Sequence, residues 1–283
     1  MIISLPSKTQ LFALVAMVLA PVAATASINL EPFVEGRAYD KRSGEWLYTE
    51  AHFCTASRDA CRVGYYTPEG ELIVEKFVDY SLNASAPNFT QFDLRYERLV
   101  AARLDGQSAQ FARTTMPVAN WRGVDTALTQ FEGSVEATEQ LVIDAGFDNY
   151  VRSRWEDLAE GDKVRFDFAL PSRAASLPMI ARRKPATVCE ATREQVQPGA
   201  IGAVAGEQDL CLEIAPANWL INSFVSPIRL EYDADNRRLL SFAGTSNILN
   251  EQGKAYRVYI VYDYPGQDAS LTGAWDGKDT GWD

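Results

Sequence analysis

The chain has 283 residues, 27 Lys and Arg against 38 Asp and Glu, and a net charge of −11. So acidic a surface repels nucleic-acid phosphates and anionic lipid headgroups, which argues against nucleic acid as a partner. One histidine excludes any metal site built on several imidazoles.

The N-terminus reads as an export signal. Residues 1–26 carry an early positive charge at Lys8, an apolar run from Leu11 to Leu19 and a small-x-small end at Ala24-Thr25-Ala26. The apolar run is too short to cross ~30 Å of hydrocarbon. Cleavage after Ala26 leaves 257 residues, and loss of Lys8 takes the net charge to −12. The expected product is periplasmic or secreted, with no transmembrane span. Four cysteines in an exported chain are most simply two disulfides. Of the three connectivities, Cys54–Cys61 and Cys189–Cys211 is favoured, because each pair brackets a plausible loop.

From Val34 the pattern is short β-type runs separated by turn signals. Val34–Asp40 is followed by the turn Ser43-Gly44 and the run from Glu45 to Phe53. Arg62–Thr67 and Glu71–Tyr80 flank Pro68-Glu69-Gly70, where proline presets φ and glycine supplies a positive φ. Phe89–Arg95, Arg98–Arg103 and Gln107–Arg113 continue the meander, with Asp105-Gly106 as another hairpin turn.

The period changes between Asn120 and Asp162. Phe147, Tyr150, Val151, Trp155 and Leu158 fall on one helical stripe, with Asp148 near its start and Gly161 at its stop. Its aromatic members, Phe147, Tyr150 and Trp155, read either as core packing or as ligand contacts. Strand patterns return at Lys163–Leu170, Met179–Arg183, Ala186–Thr192 and Leu210–Ile214, with a Gly-rich connector from Pro198 to Gly206. A short helix is expected over Ala217–Val225, then a hairpin from Pro227 to Gly244 around Asp235-Asn236, and a last strand at Tyr256–Tyr264. The Gly- and Asp-rich residues 265–283 have the composition of a disordered acidic tail.

These runs predict an α+β chain: a large curved antiparallel sheet, half-barrel or open barrel, wrapped over one amphipathic helix, with a few short helices. Residues 27–264 are expected to form one β-rich domain.

Chemistry is sparse. His52 would have to serve any triad, and neither Gly-x-Ser-x-Gly nor His-Glu-x-x-His occurs. His52, beside Cys54 and Cys61, reads as a partly exposed strand residue near a stapled hairpin end. Gly199, Gly202 and Gly206 lack the dinucleotide spacing. No catalytic residue, metal or cofactor is expected, while 13 Phe, 12 Tyr and 6 Trp could line an apolar concavity.

The order of signal, meander, amphipathic helix and meander resembles the half-barrel of the periplasmic lipoprotein-carrier (LolA/LolB-like) superfamily. So do Tyr66-Thr-Pro-Glu-Gly-Glu-Leu72 and Leu239-Leu-Ser-Phe-Ala-Gly-Thr-Ser-Asn247. The resemblance implies a non-enzymatic protein that binds a lipid-like ligand, or an envelope partner, in or on a curved sheet. The alternatives are an envelope hydrolase using unidentified carboxylates and a purely protein-binding module.

Overall fold

A computed structural model describes residues 31–121, 131–194, 196, 209–218 and 226–265. The expected signal segment, the Gly-rich connector, most of the expected 217–225 helix and all but Pro265 of the expected acidic tail lie outside the described residues.

Among the described residues the strands form one 15-stranded sheet, ordered so that its middle joins the first strand to the last. At that middle, β1 (Val34–Asp40) is flanked by β2 (Trp46–Cys54) and β15 (Ala255–Asp263). One wing is a meander of β3 (Ala60–Tyr66), β4 (Leu72–Asp79), β5 (Asn88–Asp93), β6 (Arg98–Leu104), β7 (Ser108–Thr115) and β8 (Gly133–Glu136). The other runs from β15 through β14 (Leu239–Leu249), β13 (Ile228–Tyr232), β12 (Leu210–Pro216), β11 (Ala175–Lys184) and β10 (Val164–Leu170) to β9 (Leu141–Val142). Every neighbouring pair is antiparallel except β9 with β10, so the sheet is mixed.

The turns form where the sequence places them. Gly70 and Gly106 sit at φ 88° and 90°, and the Gly70 N–H donates to Thr67 O at 2.9 Å. Alternation then sorts side chains to two faces. On β2, Tyr48, Glu50 and His52 share the face that looks into the curve, opposite Tyr65 and Val63 of β3.

Curling brings the two wings together. Val78, Phe89, Ala102 and Phe111 of the first wing share a buried cluster with Leu141, Ile143 and Ala169 of the second. At the seam, a Cβ on Gly133 would lie 2.5 Å from the Ala174 Cβ, beside the 3-10 turn Pro171–Arg173. The result is a nearly closed barrel whose edge strands meet through side chains, without ladder hydrogen bonds between β8 and β9.

The expected single helix is two. α1 is a short turn at Val118–Trp121, so the stripe corresponds to α2 (Gly146–Ser153) and α3 (Trp155–Glu160). Arg154 breaks it at φ −110°, ψ 23°. Ser153 Oγ donates to Tyr150 O at 2.7 Å, a local bond that competes with the helical ladder at the break. Tyr150, Val151, Trp155 and Leu158 are buried with Val164, Phe166, Leu212, Leu230 and Tyr232 of the sheet. Gly161 ends α3 in the left-handed region, φ 99°.

The segment with a strand pattern at Ala186–Thr192 is also a helix, α4 (Ala186–Glu194). Pro185 precedes it and accepts the Val188 N–H at 3.0 Å, the kind of start that proline favours. α4 forms an outer layer, because Cys189 is bonded to the outward Cys211 of β12. Arg193 adds an ion pair to the buried Glu231 of β13 at 2.5 Å. The second disulfide, Cys54–Cys61, joins residues directly opposite in the β2–β3 ladder, with Cα atoms 4.1 Å apart.

Candidate functional site

The sequence-predicted aromatics fall into the wall. Tyr150 and Trp155 are buried; the Tyr150 hydroxyl donates to Arg165 O at 3.0 Å and Trp155 meets Tyr232 edge-on at 5.9 Å. Phe147 is half-buried and faces Phe242 at 6.2 Å. Tyr150 also borders a polar recess of about 450 Å³ lined by Arg154, Asp157, Lys163 and Arg165.

A denser concentration of chemistry lies on the other side of α2. It sits at the barrel end where β1 begins and β15 finishes, beside the loop after β4. His52 and Glu50 occupy the same strand face two residues apart. The carboxylate can only accept, so His52 Nε2–H donates to Glu50 Oε1, at 3.3 Å. That leaves Nδ1 without a hydrogen-bond partner among the described residues. Glu50 is buried, and the Tyr262 hydroxyl is pushed far up by burial and by Glu50's charge and hydrogen bond. Gly36 makes this possible, since a Cβ there would stand 2.8 Å from both Glu50 Cγ and the Tyr262 ring.

From α2, Asp148 faces the same space. It accepts the Tyr232 hydroxyl at 3.0 Å and pairs with Arg152 one turn on. Burial raises the Asp148 pKa, opposed by Arg152, the Tyr232 bond and the charge of His52. Yet its side chain keeps 26% of its surface open, so this carboxyl is deep in the barrel and still reached by solvent. Asp148, with 26%, and His52, with 25%, of their side chains open thus share one solvent-reached space, the basin. Tyr80 and Tyr264 belong to it as well: burial raises both hydroxyls, and the charge of Asp148 raises them further.

The rim is positive. Arg58 lies 4.2 Å over the Phe33 ring and Arg238 5.2 Å from that of Tyr264. Neither has a carboxylate partner among the described residues. Arg58 is pushed down by burial and then by the charges of Arg152 and Arg238. Three guanidiniums therefore converge on one mouth of a strongly acidic protein.

Below the basin, Lys76 is almost fully enclosed and donates to Asp144 Oδ2 at 2.6 Å, while Asn247 donates to Asp144 Oδ1 at 2.8 Å. Its ammonium also lies between the Tyr65 and Phe89 rings, 5.9 and 5.6 Å from their centres. Among the described residues no group of three or more His, Cys, Asp or Glu could hold a metal, and no helix is long and apolar enough to cross a membrane.

His52 is a strand residue, as its sequence pattern implies, but it faces the basin. The local signal for that is Glu50-Ala51-His52, two polar groups on the inward face of a strand whose next inward residue is Tyr48. Asp148 and Arg152 carry only the pattern of a helix start and an outer helix face. Their role depends on which wing curls over them, which no local pattern carries.

Fold and site thus define the class: a nearly closed β-barrel with a polar, aromatic basin at one end. No protein-family model matches the chain, and no curated protein does. A search of solved structures finds a β-barrel-like protein of a domain of unknown function, DUF1849, from Brucella abortus. It is 8% identical, with 83% of this chain and 96% of that one covered, at a TM-score of 0.27. So low a score carries no argument about this chain.

Proposed function

We propose that the chain is an exported, non-enzymatic protein that binds an amphipathic, lipid-like ligand at the barrel mouth. The observation carrying this reading is the basin, where guanidiniums beside aromatic rings surround a floor of tyrosines with solvent-reached His52 and Asp148. Arginine above a ring offers an anionic head charge-assisted hydrogen bonds, and the rings offer apolar surface to the chain attached to that head. Phe147 is the helix aromatic with surface left for contact, while Tyr150 and Trp155 hold α2 and α3 against the sheet that curves over them. The two disulfides support an oxidising compartment, and the shared 15-stranded sheet supports one domain.

The test is native mass spectrometry with lipid extraction of protein purified from its own envelope, beside Arg58→Gln/Arg238→Gln. Recovery of a stoichiometric anionic amphipath from the natural chain and its loss from the variant is the expected result. Consistently empty protein that also fails to bind oleate in vitro overturns the reading.

One observation favours a second reading, hydrolysis. Glu50–His52 is an oriented base, and Asp148 is a carboxyl with a raised pKa in the same basin. Turnover of ester or glycoside probes that disappears in His52→Ala would support it; absence of turnover across such probes removes it.

A further inference from the structure

At the opposite end of the barrel from the basin, a second cleft of about 230 Å³ opens where β1 ends. Its six lining residues are Lys41, Arg42, Ser226, Gly244, Thr245 and Arg257. Three are cations, two carry hydroxyls, one is a glycine, and none is acidic. In a chain with 38 carboxylates against 27 basic side chains, a cleft bearing only one sign of charge is out of keeping with the whole surface.

The backbone holds these groups in place. The Lys41 N–H donates to Arg257 O at 3.0 Å, tying the turn after β1 to β15. Thr245 and Arg257 are direct ladder partners on β14 and β15. The nearest acid in sequence, Asp40, is committed to the turn: its Oδ1 accepts the N–H groups of Arg42 and Ser43, each at 2.8 Å. Lys41, Arg42 and Arg257 form no ion pair among the described residues. The Lys41 ammonium is pushed down by burial, then by the positive charges of Arg229 and Arg257. Arg42 also acts on the Asp40 carboxylate, but the Lys41 ammonium meets the positive charge of Arg257 across the cleft, and an anion that fills it relieves that repulsion.

We propose that this cleft binds a phosphoryl group, through the ammonium of Lys41 and the guanidiniums of Arg42 and Arg257, with Ser226 and Thr245 as hydroxyl donors. Several donors spread around one concavity suit a tetrahedral, multiply charged anion, whose oxygens accept from several directions at once. The cavity leaves room for a short substituent, so the phosphoryl can be free or carried on a lipid headgroup. This site is independent of the ligand proposed for the basin, and neither reading needs the other.

Two measurements on the full mature chain test it. Inorganic phosphate is titrated calorimetrically at fixed ionic strength, and flotation is followed with vesicles of phosphatidylcholine alone or mixed equally with phosphatidic acid. Each is repeated on Lys41→Gln/Arg257→Gln and on Arg113→Gln/Arg173→Gln, which removes the same charge elsewhere; thermal unfolding checks the fold of both. Phosphate binding that weakens at least ~tenfold in the cleft variant alone supports the site with free phosphate as ligand. Flotation with the mixed vesicles alone, lost in the cleft variant but not in the control, supports it with the lipid source. Binding that survives in the cleft variant, falls equally in both variants, or occurs with neither probe overturns the proposal.

Discussion

Lys76 and Asp144 show how much one residue's environment decides. Their side chains are 3% and 16% exposed, so each charge depends on the other and on Asn247, Tyr65 and Phe89 for what water would have given. Breaking a buried pair leaves a bare charge, which costs more than the pair contributed. Asp144→Ala should therefore lose ~3 kcal/mol in urea unfolding, whereas Lys76→Met/Asp144→Ala should recover much of it. A double variant no better than the single one would count against the pair. Asp148 makes a prediction in pH. Its carboxyl titrates above the ordinary value of 3.8 because burial outweighs Arg152, Tyr232 and His52. Between the two values the native state holds the proton and the unfolded chain does not. Stability from Asp148 is thus complete below the ordinary value and declines as pH rises through the folded one. Asp148→Asn removes that dependence. Wild type minus variant unfolding free energy, measured at successive pH values, should fall as pH rises and then level off; a flat difference would contradict the shift.

Elements depend on a few close approaches. α2 starts at Gly146, where a Cβ would stand 2.0 Å from Ser85 O, and Asn149 Nδ2 donates to Ala84 O at 3.1 Å. Gly146→Ala must push the helix off the loop after β4, at a cost of about 2 kcal/mol by the usual scale of overpacking. The same shift moves Asp148 and Arg152, so the variant should also weaken ligand capture at the basin, read by the same mass spectrometry. A stability loss with unchanged capture would separate α2 from the site. At this scale the sequence is most legible where the signal is local. Pro68-Glu69-Gly70 and Asp105-Gly106 form their turns, and the alternation of Val164 and Phe166 points inward as expected. It is least legible where tertiary contacts override a short pattern. Thr187 and Val188 look strand-like, but α4 is held outside the sheet by Cys189–Cys211 and Arg193–Glu231, partners 22 and 38 residues away. β9, two residues pairing in parallel with β10, is too short to carry any period. His52 and Glu50 are visible as neighbours on one strand, but only curvature places Asp148 across from them.

For the whole molecule the decisive feature is a barrel closed by packing instead of by a continuous ladder. Closure by hydrogen bonds would leave no edge, but among the described residues β8 and β9 keep theirs, and the seam rests on Phe111, Leu141, Ile143 and Ala169 with the close approach of Gly133 to Ala174. Side-chain contacts at a seam can open without unwinding the sheet, since each wing retains its own ladder. Ile143 is completely buried there, and its N–H also donates to Ser85 O at 3.0 Å. Ile143→Ala should cost about 3 kcal/mol, a scale set by loss of buried methylenes plus the cavity left behind. The more discriminating consequence is where that loss shows. Hydrogen exchange should accelerate first in β8, β9 and the loop after β4, while β1, β2, β14 and β15, at the centre of the sheet, keep their protection. Uniform acceleration across all strands would mean that the barrel opens as one unit, and that packing at the seam and the ladders elsewhere are a single cooperative structure. Because Ile143 precedes Asp144 and α2, selective opening would also loosen one wall of the basin. The seam is then the part of the fold through which a ligand at the mouth and the stability of the barrel are coupled, and a bound ligand should slow exchange at β8 and β9 from the other side.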